Sequence, residues 1–179
     1  MPAMRRILVL APALVLLAGC GASTQISGTP APAPTSATGS ASAGLPPDPQ
    51  PAKTADCPYL NSLAVEDANG QHVSKVRVSD DKPHPACFFY RPDGHLQLTV
   101  QVYVGKADVA TALVNKVAPI DTSNPASDPA GWKGGYQPSG DGVVYAVSKG
   151  DAAVIVTSNQ KQSIKARKVA KNAIAALKL

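Results

Sequence analysis

The chain has 179 residues, with 17 lysines and arginines against 12 acidic residues and a formal charge of +5. That excess is modest for a nucleic-acid binder, so no nucleic-acid partner is expected. The length suits one domain, and an aromatic content of 4% leaves alanine, valine and leucine to supply the core.

The first segment reads as an export signal. Arg5 and Arg6 precede an apolar run from Ile7 to Leu17, a layout typical of secretory signal peptides. The run is well short of the roughly 20 residues that a permanent spanning helix needs. It ends in Leu17-Ala18-Gly19-Cys20. Small residues before a cysteine match the bacterial lipobox, in which the thiol takes a diacylglyceryl group and becomes the new N-terminus. Residues 1–19 are therefore expected to be a lipoprotein signal peptide. Cys20 is the expected lipidation site, with acyl chains such as palmitate holding the protein on the extracytoplasmic face of the cell membrane. Each buried methylene adds about 0.8 kcal/mol, so two or three chains hold firmly where one does not.

Residues 20–55 are rich in Pro, Ala, Ser and Thr, with Ile26 and Leu45 their only large apolar side chains. Such a stretch is expected to be a disordered tether. Residues 56–179 then form the single domain. Cys57 and Cys87, left as a pair in an exported chain, are expected to form a disulfide. The alternative is a metal site using His84 and Cys87, for which further ligands are not evident; neither metal nor cofactor is expected.

Within the domain, Pro58–Asp67 has the spacing of a short helix, closed by Asn69-Gly70. Gln71–Ser79, Cys87–Tyr90 and His95–Val104 read as strands. In the last, Leu96, Leu98, Val100, Val102 and Val104 are expected to share one face. Lys106–Ala118 is helical and is stopped by Pro119. Ile120 to about Gly135 reads as a long loop, followed by a Gly140-Asp141-Gly142 turn, strands Val143–Ser148 and Ala152–Thr157, and a final helix Gln162–Leu179. The order predicts an α+β fold, an antiparallel sheet of about five to six strands packed with helices. The C-terminal helix is expected to be amphipathic and basic.

Two places are candidates for contact with a ligand or partner. One is the stretch Ala118–Gly135, where glycines flank Trp132 and Lys133. A tryptophan there either stacks on a partner or folds back to cap the core. The other is the C-terminal basic face, with Lys165, Arg167, Lys168 and Lys171. No nucleophile elbow, paired carboxylates or histidine cluster emerges, so no catalytic residues are assigned and the domain is not expected to be an enzyme.

The strings Asp56-Cys-Pro-Tyr-Leu60, Cys87-Phe-Phe-Tyr-Arg-Pro-Asp-Gly94, Pro129-Ala-Gly-Trp132, Tyr145-Ala-Val-Ser-Lys-Gly150, Asn159-Gln160 and Ile164-Lys-Ala-Arg167 resemble an uncharacterised family of actinobacterial envelope lipoproteins. That resemblance implies a compact surface domain with one disulfide and implies no activity. The expectation is a non-enzymatic module binding an envelope lipid, glycan or protein. The alternatives are an accessory or hydrolytic enzyme of wall metabolism and a structural scaffold in an envelope complex.

Overall fold

Eight strands form one antiparallel sheet in a computed structural model that describes residues 44–179. The expected signal segment, Cys20 and most of the expected tether lie outside the described residues. Strands β1 (Lys53–Thr54), β2 (Lys75–Val78), β3 (Cys87–Tyr90) and β4 (Leu96–Val104) pair in sequence order. So do β5 (Asn124–Ala126), β6 (Lys133–Ser139), β7 (Gly142–Lys149) and β8 (Ala152–Ser158). The two meanders join where β4 pairs with β8, giving the order β1-β2-β3-β4-β8-β7-β6-β5. Helix α1 (Ser62–Asn69) precedes β2, α2 (Ala107–Val117) carries the chain from β4 to the far edge, and α3 (Ser163–Leu177) ends it.

The sheet has a core on each face. Val143, Tyr145 and Val147 of β7 pack with Val154 and Val156 of β8, beneath α1 and α3. Their neighbours Val144, Ala146, Ala153 and Ile155 pack against Ala110, Leu113 and Val114 of α2. Strands covered on both faces read as continuous apolar runs rather than alternating ones, which accounts for the sequences of β7 and β8. On α3, Ala166, Val169, Ala170, Ala173 and Ile174 are buried, while Ile164, outside that set, is exposed.

The expected five to six strands become eight because β1, β5 and β6 carry sequences poor in strand formers. Pro125 lies in β5 at the sheet edge, where a missing N–H is tolerated. In β6, Gly134 passes so close to Ala146 that a Cβ would collide with its carbonyl oxygen. Much of the expected loop is therefore a sheet-edge hairpin. Residues expected in the tether before Asp56 take part in the fold. Lys53 and Thr54 pair with Val78 and Arg77, Leu45 packs on the α2 core, and Lys116 Nζ meets Asp48 Oδ1 at 2.6 Å.

A bulge corrects the expected face of Leu96. Tyr90 pairs with Leu96 while Phe89 pairs with Leu98, leaving Gln97 as the extra residue. The shift turns Leu96 outward, 44% exposed, and Gln97 inward, 1% exposed. The buried Gln97 is fully engaged. Its Nε2 donates to His72 O at 2.8 Å, and its Oε1 accepts from Asn69 Nδ2 at 3.0 Å. Ser158 Oγ donates to Asn69 Oδ1 at 2.7 Å. This network fixes the end of α1 to β4 and β8. Helix α1 starts later than expected, because Tyr59 and Leu60 are core anchors and Asn61 is the N-cap, accepting from Ala64 N at 2.7 Å.

Cys57 and Cys87 form the disulfide, with Cα atoms 5.7 Å apart. The bond occupies Cys87 and so removes the metal reading with His84. Beside it, the buried Tyr59 hydroxyl donates to Pro85 O at 2.9 Å, and burial pushes it well above the ordinary phenol range. Folding therefore favours the protonated phenol, so its contribution is intact below about pH 10 and is lost as pH rises beyond that. Denaturant titrations at pH 8 and pH 11 should show a loss of stability at the higher pH that is smaller in Tyr59→Phe. At pH 8 the variant should lose about 1 kcal/mol, from the missing hydrogen bond.

Candidate functional site

The three histidines are on separate segments with separate neighbours. His72 Nδ1 lies 2.9 Å from Glu66 Oε1. His84 stands edge-on to Tyr59, with ring centroids 6.5 Å apart. His95 follows the turn in which Asp93 pairs with Arg91. Among the described residues, no group of three or more His, Cys, Asp and Glu side chains is placed to hold a metal. No helix among them is long and apolar enough to cross a membrane.

The candidate cations of α3 meet acidic and polar partners on the domain itself. Lys168 Nζ binds Asp67 Oδ2 at 2.7 Å, which holds the Asp67 carboxyl below its ordinary range. Lys171 and Arg167 both reach Asp128, at 3.2 and 3.5 Å. Lys165 Nζ donates to Asn69 O at 3.0 Å and to Gln160 Oε1 at 3.1 Å. Sequence distance hid these partners. No acidic residue follows Asp151, yet Asp67 and Asp128 arrive from α1 and from the segment before β6. Exposed pairs of this kind add little to stability because water and salt screen them, so they reduce the charge offered outward more than they stabilise the fold.

Trp132 is 2% exposed and belongs to the core under α1 and α3. Gly131, at φ 86°, makes the turn that brings it there, and Trp132 N donates to Pro129 O at 3.0 Å. The Tyr145 hydroxyl donates to Asp128 O in the same segment. Lys149 Nζ lies 5.9 Å from the Trp132 ring centroid. The ring has no free face for stacking on a partner.

The residues around Trp132 nevertheless form a concave site. A cavity of about 780 Å³ opens between α2, the β5–β6 hairpin and the β7–β8 turn. Val114 and Ala118 come from α2 and its end. Pro125 and Ala126 come from β5, and Ser148 and Lys149 from the end of β7. Most of its lining residues lie in Ala118–Gly135, the stretch singled out by its length and glycines. Gly131, Gly134 and Gly150 also line the wall. Ile120, 83% exposed, adds apolar surface. Of the expected contact residues, only Lys133 lines this cavity; Trp132 lies behind it, and the α3 cations line a separate, shallower groove. Lys149, Ser148 and Thr111 were not identifiable from sequence, because the register and the β4–α2–β5 path bring them to the site.

The cavity has the size of a small-molecule site, on the order of 300–1,000 Å³. Its wall offers apolar contact, hydroxyls from Thr111, Ser123 and Ser148, and the lysine Lys133, while the Lys149 ammonium lies over Trp132. That combination binds and orients a partly apolar ligand; it supplies no evident nucleophile–base pair.

A family model matches residues 41–179 and so covers the whole sheet and all three helices. The chain belongs to the DUF2020 family, a domain of unknown function. No curated protein matches it. The match places Leu45, Asp48 and β1 inside the DUF2020 domain, in keeping with their contacts to α2 and β2. The cavity, too, lies entirely within the matched residues.

Proposed function

We propose that the protein is an envelope lipoprotein of the extracytoplasmic membrane face, anchored through Cys20, whose domain is a non-enzymatic binding module. The anchoring rests on the sequence: Arg5 and Arg6, the apolar run Ile7–Leu17, and Leu17-Ala18-Gly19-Cys20. The binding role rests on one observation, the cavity of about 780 Å³ built largely by Ala118–Gly135. Its partner is an envelope lipid, glycan or protein that inserts an apolar group. The α3 helix, read as amphipathic and basic, stands apart from this site and steers the domain toward anionic envelope surfaces, weakly because its cations are shared with Asp67 and Asp128.

A neutral apolar fluorophore tests the cavity without invoking charge. N-phenyl-1-naphthylamine added to the full mature protein should brighten on binding. The response should fall by at least about fivefold in Thr111→Phe/Ser148→Phe, which fills the cavity from α2 and β7. Equal brightening in both proteins, with unchanged thermal unfolding, would contradict the cavity reading.

A further inference from the structure

Four large apolar side chains stand exposed among the described residues, and two of them, Leu63 at 75% and Ile164 at 59%, share one surface. On α1, Leu63 and Asp67 are one turn apart and exposed, opposite the buried Val65, Ala68 and Asn69. On α3, Ile164 and Lys168 are likewise one turn apart and exposed, opposite the buried Ala166, Val169, Ala170 and Ala173. Lys168 Nζ and Asp67 Oδ2 meet at 2.7 Å. The outward stripes of the two helices therefore form one continuous surface.

The charge on this surface is net positive. Lys168, Lys171 and Lys178 follow Ile164 at helical spacing, and all three are exposed. The shallow groove beside them is lined by four cations, Lys165, Arg167, Lys168 and Lys171, against two carboxylates, Asp67 and Asp128. Lys161 and Lys178 form no ion pair among the described residues. Ion pairing thus leaves cationic charge over, and the two apolar side chains stand among it. The cavity lies elsewhere: it is bounded by α2, which packs on the opposite face of the sheet from α1 and α3.

We infer that the α1–α3 surface docks on an anionic lipid bilayer, with Leu63 and Ile164 entering the head-group layer and the α3 lysines meeting lipid phosphates. This rests on the reading that the protein works at a membrane, and it names the anionic surface toward which α3 steers. Cations surrounding apolar side chains on a helix face are the layout of interfacial membrane contacts. Cations close to a bilayer also gain from the negative potential of its anionic lipids. A soluble polyanion would meet the lysines but leave Leu63 and Ile164 in water. Docking by this face turns α2 and its cavity away from the bilayer, so that the cavity opens toward the envelope space.

The test is co-sedimentation of the full mature chain carrying Cys20→Ser, which has no lipidation site, with two kinds of vesicle. One is phosphatidylcholine alone; the other is an equal mixture of phosphatidylcholine and phosphatidylglycerol. At low ionic strength this chain should bind the mixed vesicles at least about tenfold more tightly than the neutral ones. Adding Leu63→Ser/Ile164→Ser should weaken binding to the mixed vesicles about three- to fivefold. Adding Lys161→Gln/Lys168→Gln/Lys171→Gln instead should abolish the preference for anionic lipid. All five side chains are exposed, so thermal unfolding followed by circular dichroism should be nearly unchanged and shows that each variant is folded. A nitrobenzoxadiazole label on Ile164→Cys should brighten with the mixed vesicles, and one on Ile120→Cys, at the cavity, should not. No binding to the mixed vesicles, equal binding to both kinds, or brightening at position 120 in place of 164 overturns the inference. Undiminished binding after Leu63→Ser/Ile164→Ser also overturns it and assigns the cations to a soluble polyanion. None of these outcomes bears on the cavity reading, which N-phenyl-1-naphthylamine tests without vesicles.

Discussion

Replacing Cys57 and Cys87 together by alanine should lower the free energy of unfolding by about 3–4 kcal/mol and the melting temperature by roughly 10–15 °C. The two cysteines are 30 residues apart in sequence, and closing a loop of that length removes a large share of the denatured chain's freedom. The bond ties the segment before α1 to the first residue of β3, on the half of the sheet farthest from the cavity. Binding of N-phenyl-1-naphthylamine below the lowered melting temperature should therefore be retained. Guanidinium unfolding of the oxidised protein and the double variant measures the difference. A change below about 1 kcal/mol would mean that β2–β3 and the Tyr59–Leu60 anchor hold the loop without the disulfide.

Trp132→Ala should cost about 3–5 kcal/mol, the range for deleting a large buried aromatic side chain. Trp132 is among the largest fully buried side chains, in contact with the core shared by α1 and α3. Trp132→Phe should cost less, because it keeps most of the apolar volume. These values separate two roles for the residue. A tryptophan kept for partner contact loses binding and little stability when truncated; a core tryptophan loses stability first. Since Trp132 is the only tryptophan, its emission gives an independent reading: it should be blue-shifted in the folded protein and should shift to red only on unfolding. Occupancy of the cavity should change its intensity through Lys149, which lies over the ring.

The sequence made the helices and central strands legible, and for a physical reason. Buried elements need runs of apolar residues, and β7, β8, α2 and α3 carry them. The edges were not legible. Edge strands need little apolar content, so Asn124-Pro-Ala126 and Lys133-Gly-Gly-Tyr-Gln-Pro-Ser139 resemble loop. Leu96 was placed on the wrong face because the Gln97 bulge is decided by cross-strand register and by the Asn69–Gln97 hydrogen bond, neither of which is local.

The candidate site was half legible. Length and glycines pointed to Ala118–Gly135, and that stretch does build the cavity. Trp132, its most conspicuous residue, lies behind the wall, whereas the less conspicuous Lys133, Ser148 and Lys149 line it. Lys133 and Lys149 lie on neighbouring strands, and only the β6–β7 register, which pairs Lys133 with Ser148, brings these residues to one edge of the site. The α3 cations looked unopposed for the corresponding reason. Asp67 and Asp128 are 101 and 43 residues from Lys168 and Lys171 in the chain, yet in contact with them.

Native mass spectrometry of the protein released from its own membrane in mild, non-displacing detergent tests the central claim most directly. A carried ligand should appear as an adduct on the domain, distinct from the acyl groups on Cys20 because it leaves on denaturation. The adduct should be absent from Thr111→Phe/Ser148→Phe purified in the same way. An unliganded domain under conditions that preserve non-covalent complexes, or equal adduct on the cavity-filled variant, would contradict it.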